Sequence, residues 1–250
     1  MRLRGKSAVI TGAGGGFGEG IARRFALEGA NVVVADINAA AARQVALEIG
    51  NGAVAVAGDV ARAADIALMV NAAVDRFGGL DIVVNNAGTT HRNQPLLDVA
   101  EDEFDRVFAV NVKSIYLMTQ AAVPVLRRQG RGGSIINISS TAGIRPRPGL
   151  VWYNGTKGAV NTITQCMAIE LAADNIRVNA ICPVLGATGL TELFMGQPDT
   201  PEIRQKFLAT IPLGRMSQPG DIANACVWLG EDASNFITGI LLPVDGGRTA

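Results

Sequence analysis

Tyr153 and Lys157 stand four residues apart in Tyr153-Asn-Gly-Thr-Lys157, a spacing that puts both on one face of a helix. A free phenol titrates at about 10, too high for a base near neutral pH. An adjacent ammonium stabilises the phenolate, and lowering its pKa by about three units takes about 4 kcal/mol of differential interaction. Oxidation of an alcohol needs a base for the hydroxyl proton, and reduction of a carbonyl needs the corresponding acid. Ser140, thirteen residues before the tyrosine at the end of an apolar strand, is placed to hydrogen-bond the same oxygen; Ser139 is its competitor. Taken alone, Y-x-x-x-K also suits a helix face that only meets solvent.

A second group of residues suits an anion. Thr11-Gly-Ala-Gly-Gly-Gly-Phe-Gly18 follows an apolar strand and opens a helix. Glycines let backbone approach a pyrophosphate closely, and the unpaired N–H groups and dipole of a helix N-terminus favour negative charge. The spelling is not G-x-G-x-x-G, because Phe17 holds the last glycine position. It is T-G-x-x-x-G-x-G on Thr11, Gly12, Gly16 and Gly18. Gly12, Gly15, Gly16, Phe17 and Gly18 are the candidate cofactor contacts of this turn. Asp36 ends the second strand, eighteen residues after Gly18. A carboxylate there accepts hydrogen bonds from both ribose hydroxyls of an adenosine and repels a 2′-phosphate, which favours NAD over NADP. No Lys or Arg in 12–18 offsets such a phosphate. The plainer alternative is that Asp36 only caps the helix over 37–49.

Holding these groups together requires an alternation of strands and helices. Apolar strands read at 7–11, 31–36, 53–57, 80–85, 134–139, 176–182 and 239–244, with helices near 17–29, 39–49, 63–77, 99–129, 154–173 and 219–230. Nearly continuous apolar strands belong to a parallel sheet covered on both faces. The succession implies an α/β protein: a Rossmann-type doubly wound parallel sheet of about seven strands in three α/β/α layers. No repeat, low-complexity tract or linker divides the chain, so residues 1–250 read as one dinucleotide-binding and catalytic domain. Almost forty residues separate the strand ending at Cys182 from the helix starting near Asp221. Ligands of open α/β sheets bind beyond the carboxyl ends of strands, so 188–214 reads as a substrate lid with a short helix at 201–210.

Composition removes other chemistries. Of 250 residues, 22 are Lys or Arg and 22 Asp or Glu, and a chain without basic surplus is not built for a phosphate backbone. His91 is the only histidine, which leaves no His-rich zinc site and no H-E-x-x-H; no metal is expected. Cys166, Cys182 and Cys226 are odd in number and lack C-x-x-C spacing, which points to a reducing compartment rather than a disulfide framework. No apolar run nears the roughly 18 residues of a membrane span. The apolar stretch after the basic start breaks at Gly12, too soon for a secretory h-region of about 7–15 residues. A cytoplasmic protein that binds neither membrane nor nucleic acid is expected.

Together these residues resemble the short-chain dehydrogenase/reductase family, over essentially the whole chain from Lys6 to Gly247. Thr11 to Gly18 looks like its cofactor signature, and Asp59-Val60 resembles its adenine-contacting pair. Asn85-Asn-Ala-Gly88, with Asn86 and Ala87 beside the cofactor, is similar to its N-N-A-G segment. Asn111 in Val110-Asn-Val112 matches the asparagine that holds a water in the family's proton relay, and Ser140, Tyr153 and Lys157 complete the tetrad. The resemblance implies an NAD-dependent oxidoreductase interconverting a secondary alcohol, such as a sugar or hydroxy acid, and its carbonyl. Tyr153 would exchange the proton, Ser140 orient the oxygen, and Lys157 hold the nicotinamide ribose and lower the phenol pKa. A 3-oxoacyl-carrier-protein or 3-oxoacyl-CoA reductase is the alternative within the family, and a noncatalytic NAD sensor the alternative outside catalysis. The chain departs from the family's Pro-Gly with Pro183-Val-Leu-Gly-Ala-Thr188, where Thr188 matches the nicotinamide-contacting threonine and Gly186 is expected to supply displaced flexibility. The resemblance also implies a homotetramer built through the helices at 99–129 and 154–173, with Ala121, Ala122, Ala159 and Ala168 as small surface residues.

The substrate side is less determined. Segments 89–93 and 141–152 and the lid should line it. Arg145-Pro-Arg-Pro148, with Arg92, either faces an anionic substrate group or is solvated or bridges subunits. His91 reads as an exposed loop residue or a substrate contact. Trp152, Leu193, Phe194 and Met195 form either an apolar wall or lid packing. Cys182 reads as a small buried hydrophobe.

Overall fold

Strand β1 (Ser7–Thr11) is buried along its whole length, with an apolar centre, because both of its faces are covered. The computed structural model describes residues 1–186, 189, 191–198 and 200–250. In it β2 (Asn31–Asp36), β3 (Val54–Ala57), β4 (Ile82–Asn85), β5 (Gly133–Ile138), β6 (Ile176–Pro183) and β7 (Leu241–Val244) join β1. They form a seven-stranded sheet in the order β3-β2-β1-β4-β5-β6-β7, parallel throughout. Register aligns Val9, Val33, Val83, Ile135 and Val178 in one row and Ile10, Val34, Val84 and Ile136 in the next. Successive residues face opposite sides. The first row packs under α3 (Ala63–Phe77), α5 (Ser114–Gln129) and α6 (Val151–Leu171), and the second under α1 (Gly16–Leu27), α2 (Ala39–Ile49) and the last helix, Pro219–Gly230. This is a Rossmann-type α/β fold in three layers. Strand ends fall within two residues of expectation, the usual scatter of element boundaries.

The expected helix at 99–129 is interrupted. Helix α4 (Glu101–Phe108) runs into a π turn over Ala109–Lys113 before α5 begins. A π turn inserts one residue into the helical repeat and re-aims the side chains within it; here that residue group contains Asn111. Between β6 and the last helix lie α7 (Thr191–Met195) and α8 (Pro201–Leu208), which makes Pro219–Gly230 helix α9. Thr200 caps α8 by accepting the Ile203 N–H at 3.4 Å, with Pro201 in the first turn where its missing N–H costs nothing. Helix α7, five residues long, is too short to show a periodicity.

Two expected surface alanines are core residues: Ala122 and Ala168 pack beneath the sheet, and Ala121 and Ala159 are half-buried. The exposed apolar side chains of α5 and α6 include Tyr116 and Ile169, at 61% and 80% exposure. Among the described residues no helix is long and apolar enough to cross a membrane, and no group of three His, Cys, Asp or Glu could hold a metal. Strand order reverses between β1 and β4, which opens a crevice at the carboxyl ends of the strands.

Candidate active site

The crevice is a cavity of about 1040 Å³, and the β1–α1 turn forms one end of it. Gly12 has φ +62°, and a Cβ there would lie 2.9 Å from Ala87 Cα. A Cβ on Gly18 would lie 2.1 Å from the Gly12 carbonyl oxygen, so Gly18 packs the turn and is absent from the cavity wall that Gly12, Gly15, Gly16 and Phe17 line. Thr11 Oγ1 accepts the Asn86 and Ala87 N–H groups, both at 3.0 Å. Asn86 Nδ2 donates back to the carbonyls of Thr11 (2.8 Å) and Gly12 (3.1 Å). The two glycine- and asparagine-containing strand ends are thus stitched into one rigid rim. Below it, Asn85 Nδ2 donates to Asn137 Oδ1 (2.8 Å), whose own amide donates to Thr164 Oγ1 (2.9 Å), a buried polar ladder across β4, β5 and α6.

Gly15 answers whether a dinucleotide fits. Its φ of −173° suits any residue, and among the described residues no heavy atom lies within 4 Å of a Cβ there. Nothing among those residues requires glycine at 15; a ligand lying against the start of α1 would. No side chain caps the first N–H groups of α1, the arrangement that receives a phosphate. Asp36 lies farther along the same wall with Asp59 and Val60. Its Oδ2 accepts the Gly14 N–H and its Oδ1 the Asn38 N–H, each at 2.8 Å. The cap of α2 is Asn38, which accepts from Ala41 N (3.1 Å), so the capping alternative for Asp36 falls to its neighbour.

Toward the middle of the cavity stand Ser140, Tyr153 and Lys157. Tyr153 and Lys157 share a face of α6, with Lys157 Nζ 5.8 Å from the phenol ring centroid. Both are buried. Burial pushes the Tyr153 phenol up to about 12, opposed by the Ser140 hydroxyl and then by the Arg147 guanidinium. Burial pushes the Lys157 ammonium down to about 8. Lys157 Nζ donates to the Ile138 carbonyl at 2.9 Å, and the Arg147 guanidinium is a second cation that favours the phenolate. Ser139 is spent elsewhere, donating to Asn161 Oδ1 (2.6 Å) and the Lys157 carbonyl (3.2 Å). Asn111 is buried on the π turn. Its Oδ1 accepts the Thr89 N–H (2.8 Å), and its Nδ2 donates to the Thr89 carbonyl (2.9 Å) and Thr156 Oγ1 (3.0 Å). Those bonds clamp the chain after β4.

At the far end, Gly186 is near the ring of Phe17: a Cβ there would lie 2.2 Å from Phe17 Cζ. Its φ is not positive, so its glycine serves close approach, not the flexibility expected of it. Val184 lines the cavity. Thr188 lies outside the described residues. Phe194 and Met195 of α7 and Ile203, Lys206 and Phe207 of α8 form the roof. The remaining expected wall residues go elsewhere. Leu193 is off the cavity, and Trp152 packs edge-on against Phe104 at 5.4 Å. His91 is buried at 1% exposure, with Nδ1 2.8 Å from the Arg92 carbonyl and Nε2 without a partner among the described residues. Arg92 reaches Gly196 O (2.9 Å) just after α7, while Arg145 and Arg147 do line the cavity. Arg248, Lys206 and Phe207 join them; no motif marks these three, and only the fold brings the C-terminal tail to the site. Cys182 is fully buried, and burial pushes its thiol up to about 11.

Comparison with known proteins places this geometry. A family model described as enoyl-(acyl carrier protein) reductase matches residues 12–249. A 4-formylbenzenesulfonate dehydrogenase of Comamonas testosteroni is 49% identical over 99% of this chain and 99% of its own. A meso-2,3-butanediol dehydrogenase of Serratia marcescens is 38% identical, covering 100% of this chain and 97% of the relative. A crystal structure of a 3-ketoacyl-(acyl-carrier-protein) reductase from Brucella melitensis complexed with NADH superposes with a TM-score of 0.94, at 47% identity, covering 99% of this chain and 100% of that one.

Proposed function

The chain belongs to the short-chain dehydrogenase/reductase family, as an oxidoreductase of alcohol and carbonyl substrates, and from that premise we propose that it uses NAD with Tyr153 as the proton-transfer group. The observation that carries the proposal is that Gly15, Asp36, Ser140, Tyr153 and Lys157 all line one cavity. Gly12, Gly15, Gly16 and Phe17 with the N-terminus of α1 would hold the pyrophosphate, and Gly18 would keep that turn tight. Asp36 would accept from the adenosine ribose hydroxyls; two of its lone pairs already hold Gly14 and Asn38 in place, which fixes the carboxylate. Asp59, Val60, Asn86 and Ala87 would border the adenine and the far ribose, and Gly186 and Thr188 the nicotinamide. When bound, the nicotinamide supplies the hydride chemistry.

The protein's own part is proton transfer and orientation. Ser140 donates to the oxygen of the alcohol or carbonyl and holds it against Tyr153. Tyr153 takes the hydroxyl proton during oxidation or gives it during reduction. Burial holds its phenol up at about 12 while Ser140 and Arg147 work against that desolvation at the reacting atom. Lys157, depressed to about 8, exchanges its own proton near neutral pH and can pass it along. Asn111 acts one step removed, by fixing Thr89 beside the site. Residues 188–214 would serve as the substrate lid, and the exposed Tyr116 and Ile169 would be covered in a homotetramer. A cytoplasmic location completes the proposal, in keeping with three free cysteines.

A 3-oxoacyl reductase is the second candidate activity, favoured by the name of the solved relative at 47% identity. A panel of alcohols, aldehydes, ketones and 3-oxoacyl thioesters, each run with NAD and NADP, separates the two. NAD-linked turnover of simple alcohols supports the first, and preferential NADPH-linked turnover of 3-oxoacyl thioesters overturns it.

A further inference from the structure

The substrate end of the cavity carries an electrostatic imbalance. Arg147, Arg145, Arg248 and Lys206 line it, whereas the carboxylates on the cavity wall, Asp36 and Asp59, lie at the opposite, dinucleotide end. Arg147 is the innermost of the four. One of its five N–H donors is spent, Nη2 donating to the Phe194 carbonyl at 2.5 Å. Its guanidinium carbon sits 4.9 Å from the Phe207 ring centroid, a cation–π contact. Pro146 and Pro148 flank it and stiffen the segment that presents it. Among the described residues no Asp or Glu pairs with it; the charges that act on it are the Tyr153 phenol and the like-charged Arg248. Burial therefore pushes its guanidinium down, where an ion pair would have held it up. A half-buried guanidinium with a like charge nearby and no carboxylate beside it is costly unless an anion joins it. The walls around it are apolar: Leu150, Met195, Ile203 and Ile211 line the same end, and Phe194 meets the Tyr153 ring edge-on at 5.0 Å.

Building on the proton-transfer site proposed above, we infer that Arg147, backed by Arg248, anchors a carboxylate or sulfonate at the end of an apolar-bodied substrate remote from its reacting alcohol or carbonyl carbon. A planar fork of donors matches either oxyanion with two parallel hydrogen bonds. The Phe194 carbonyl and Phe207 hold the fork in place, and the apolar wall between Arg147 and Tyr153 takes the body. Substrate choice in this chain is thus made by charge at one end and proton transfer at the other.

The test uses matched pairs. 4-Methylbenzoate and its methyl ester are titrated calorimetrically into the NAD-loaded protein, and 4-(hydroxymethyl)benzoate, its methyl ester and 4-(hydroxymethyl)benzenesulfonate are compared as substrates. The acid should bind, and be turned over by kcat/KM, roughly 10- to 100-fold better than its ester; the sulfonate arm identifies which oxyanion is preferred. In Arg147→Ala that ratio should fall toward one, in Arg147→Lys it should be intermediate, and in Arg248→Ala it should fall severalfold. The Arg248 variant keeps the proposal testable should Arg147→Ala disturb Phe194. Equal affinity for acid and ester in the unmodified protein overturns the inference. So does an Arg147→Ala enzyme that loses activity on both substrates in equal proportion with a displaced pH profile, since that assigns Arg147 to the phenol alone. Selective binding of the acid without turnover of any alcohol would count against Tyr153 chemistry while leaving the anion site standing.

Discussion

Replacing Lys157 with Met should change how stability depends on pH in a way that follows from burial. The ammonium is buried with one described hydrogen bond, to the Ile138 carbonyl, and its pKa is lowered from 10.5 to about 8. Between those values the unfolded chain holds a proton that the folded chain has released, so the stability of the native protein rises with pH. The full shift corresponds to about 3 kcal/mol, most of which falls between pH 7 and 10. Lys157→Met removes the titration, so the stability gap between wild type and variant should move by that amount in favour of wild type as pH rises across this window. For a chain of this size that is on the order of 5–10 °C in Tm. Tyr153, raised from 10.0 to about 12, acts in the opposite sense, but only above pH 10, where the unfolded phenol ionises first. Urea or thermal unfolding at fixed protein concentration, with no dinucleotide added, from pH 7 to 10 is the assay. Parallel pH profiles for the two proteins would refute a buried, depressed lysine.

Asp36→Ala should relax the cofactor preference. Loss of the carboxylate removes both ribose hydrogen bonds and the repulsion of a 2′-phosphate, so the ratio of kcat/KM for NAD over NADP should drop at least about tenfold; an unchanged ratio would place selectivity elsewhere. The turn glycines should separate by mechanism. Gly18→Ala drives a methyl into the Gly12 carbonyl and should destabilise the fold by roughly 1–3 kcal/mol or more. Gly15→Ser meets no atom of the described residues and suits a helix N-cap, so Tm should hold while NAD affinity falls. Equal effects of the two on Tm would contradict the cradle geometry.

Much of this was legible in the residues. Apolar runs give strands wherever a parallel sheet is covered on both faces, and T-G-x-x-x-G-x-G with Asp36 marks one rim of the crevice because turn, close approach and helix start all lie within a few positions. What escaped depends on contacts distant in sequence. Nothing local at Ala109–Lys113 announces a π turn; Asn111 is turned inward by bonds to Thr89 and Thr156. His91 looks like an exposed loop residue, yet the chain after β4 bonds to Leu193 and Gly196 and buries it. Ala122 and Ala168 show that alanine spacing cannot separate a core face from an interface face, since alanine fits either. Arg147 gains its meaning from Phe194, Phe207 and Arg248, between 47 and 101 residues away, and from the carboxylates that are not there among the described residues.

The central claim is that one phenol moves the proton while the dinucleotide is held by other groups, and Tyr153→Phe tests it most directly. The substitution removes a single oxygen and keeps the ring that meets Phe194. With an alcohol that the wild type oxidises, turnover followed by nicotinamide absorbance should fall by about 10²–10⁴-fold, while NAD affinity measured by calorimetry stays close to that of the wild type. A Tyr153→Phe enzyme that retains most of the wild-type turnover would contradict the mechanism.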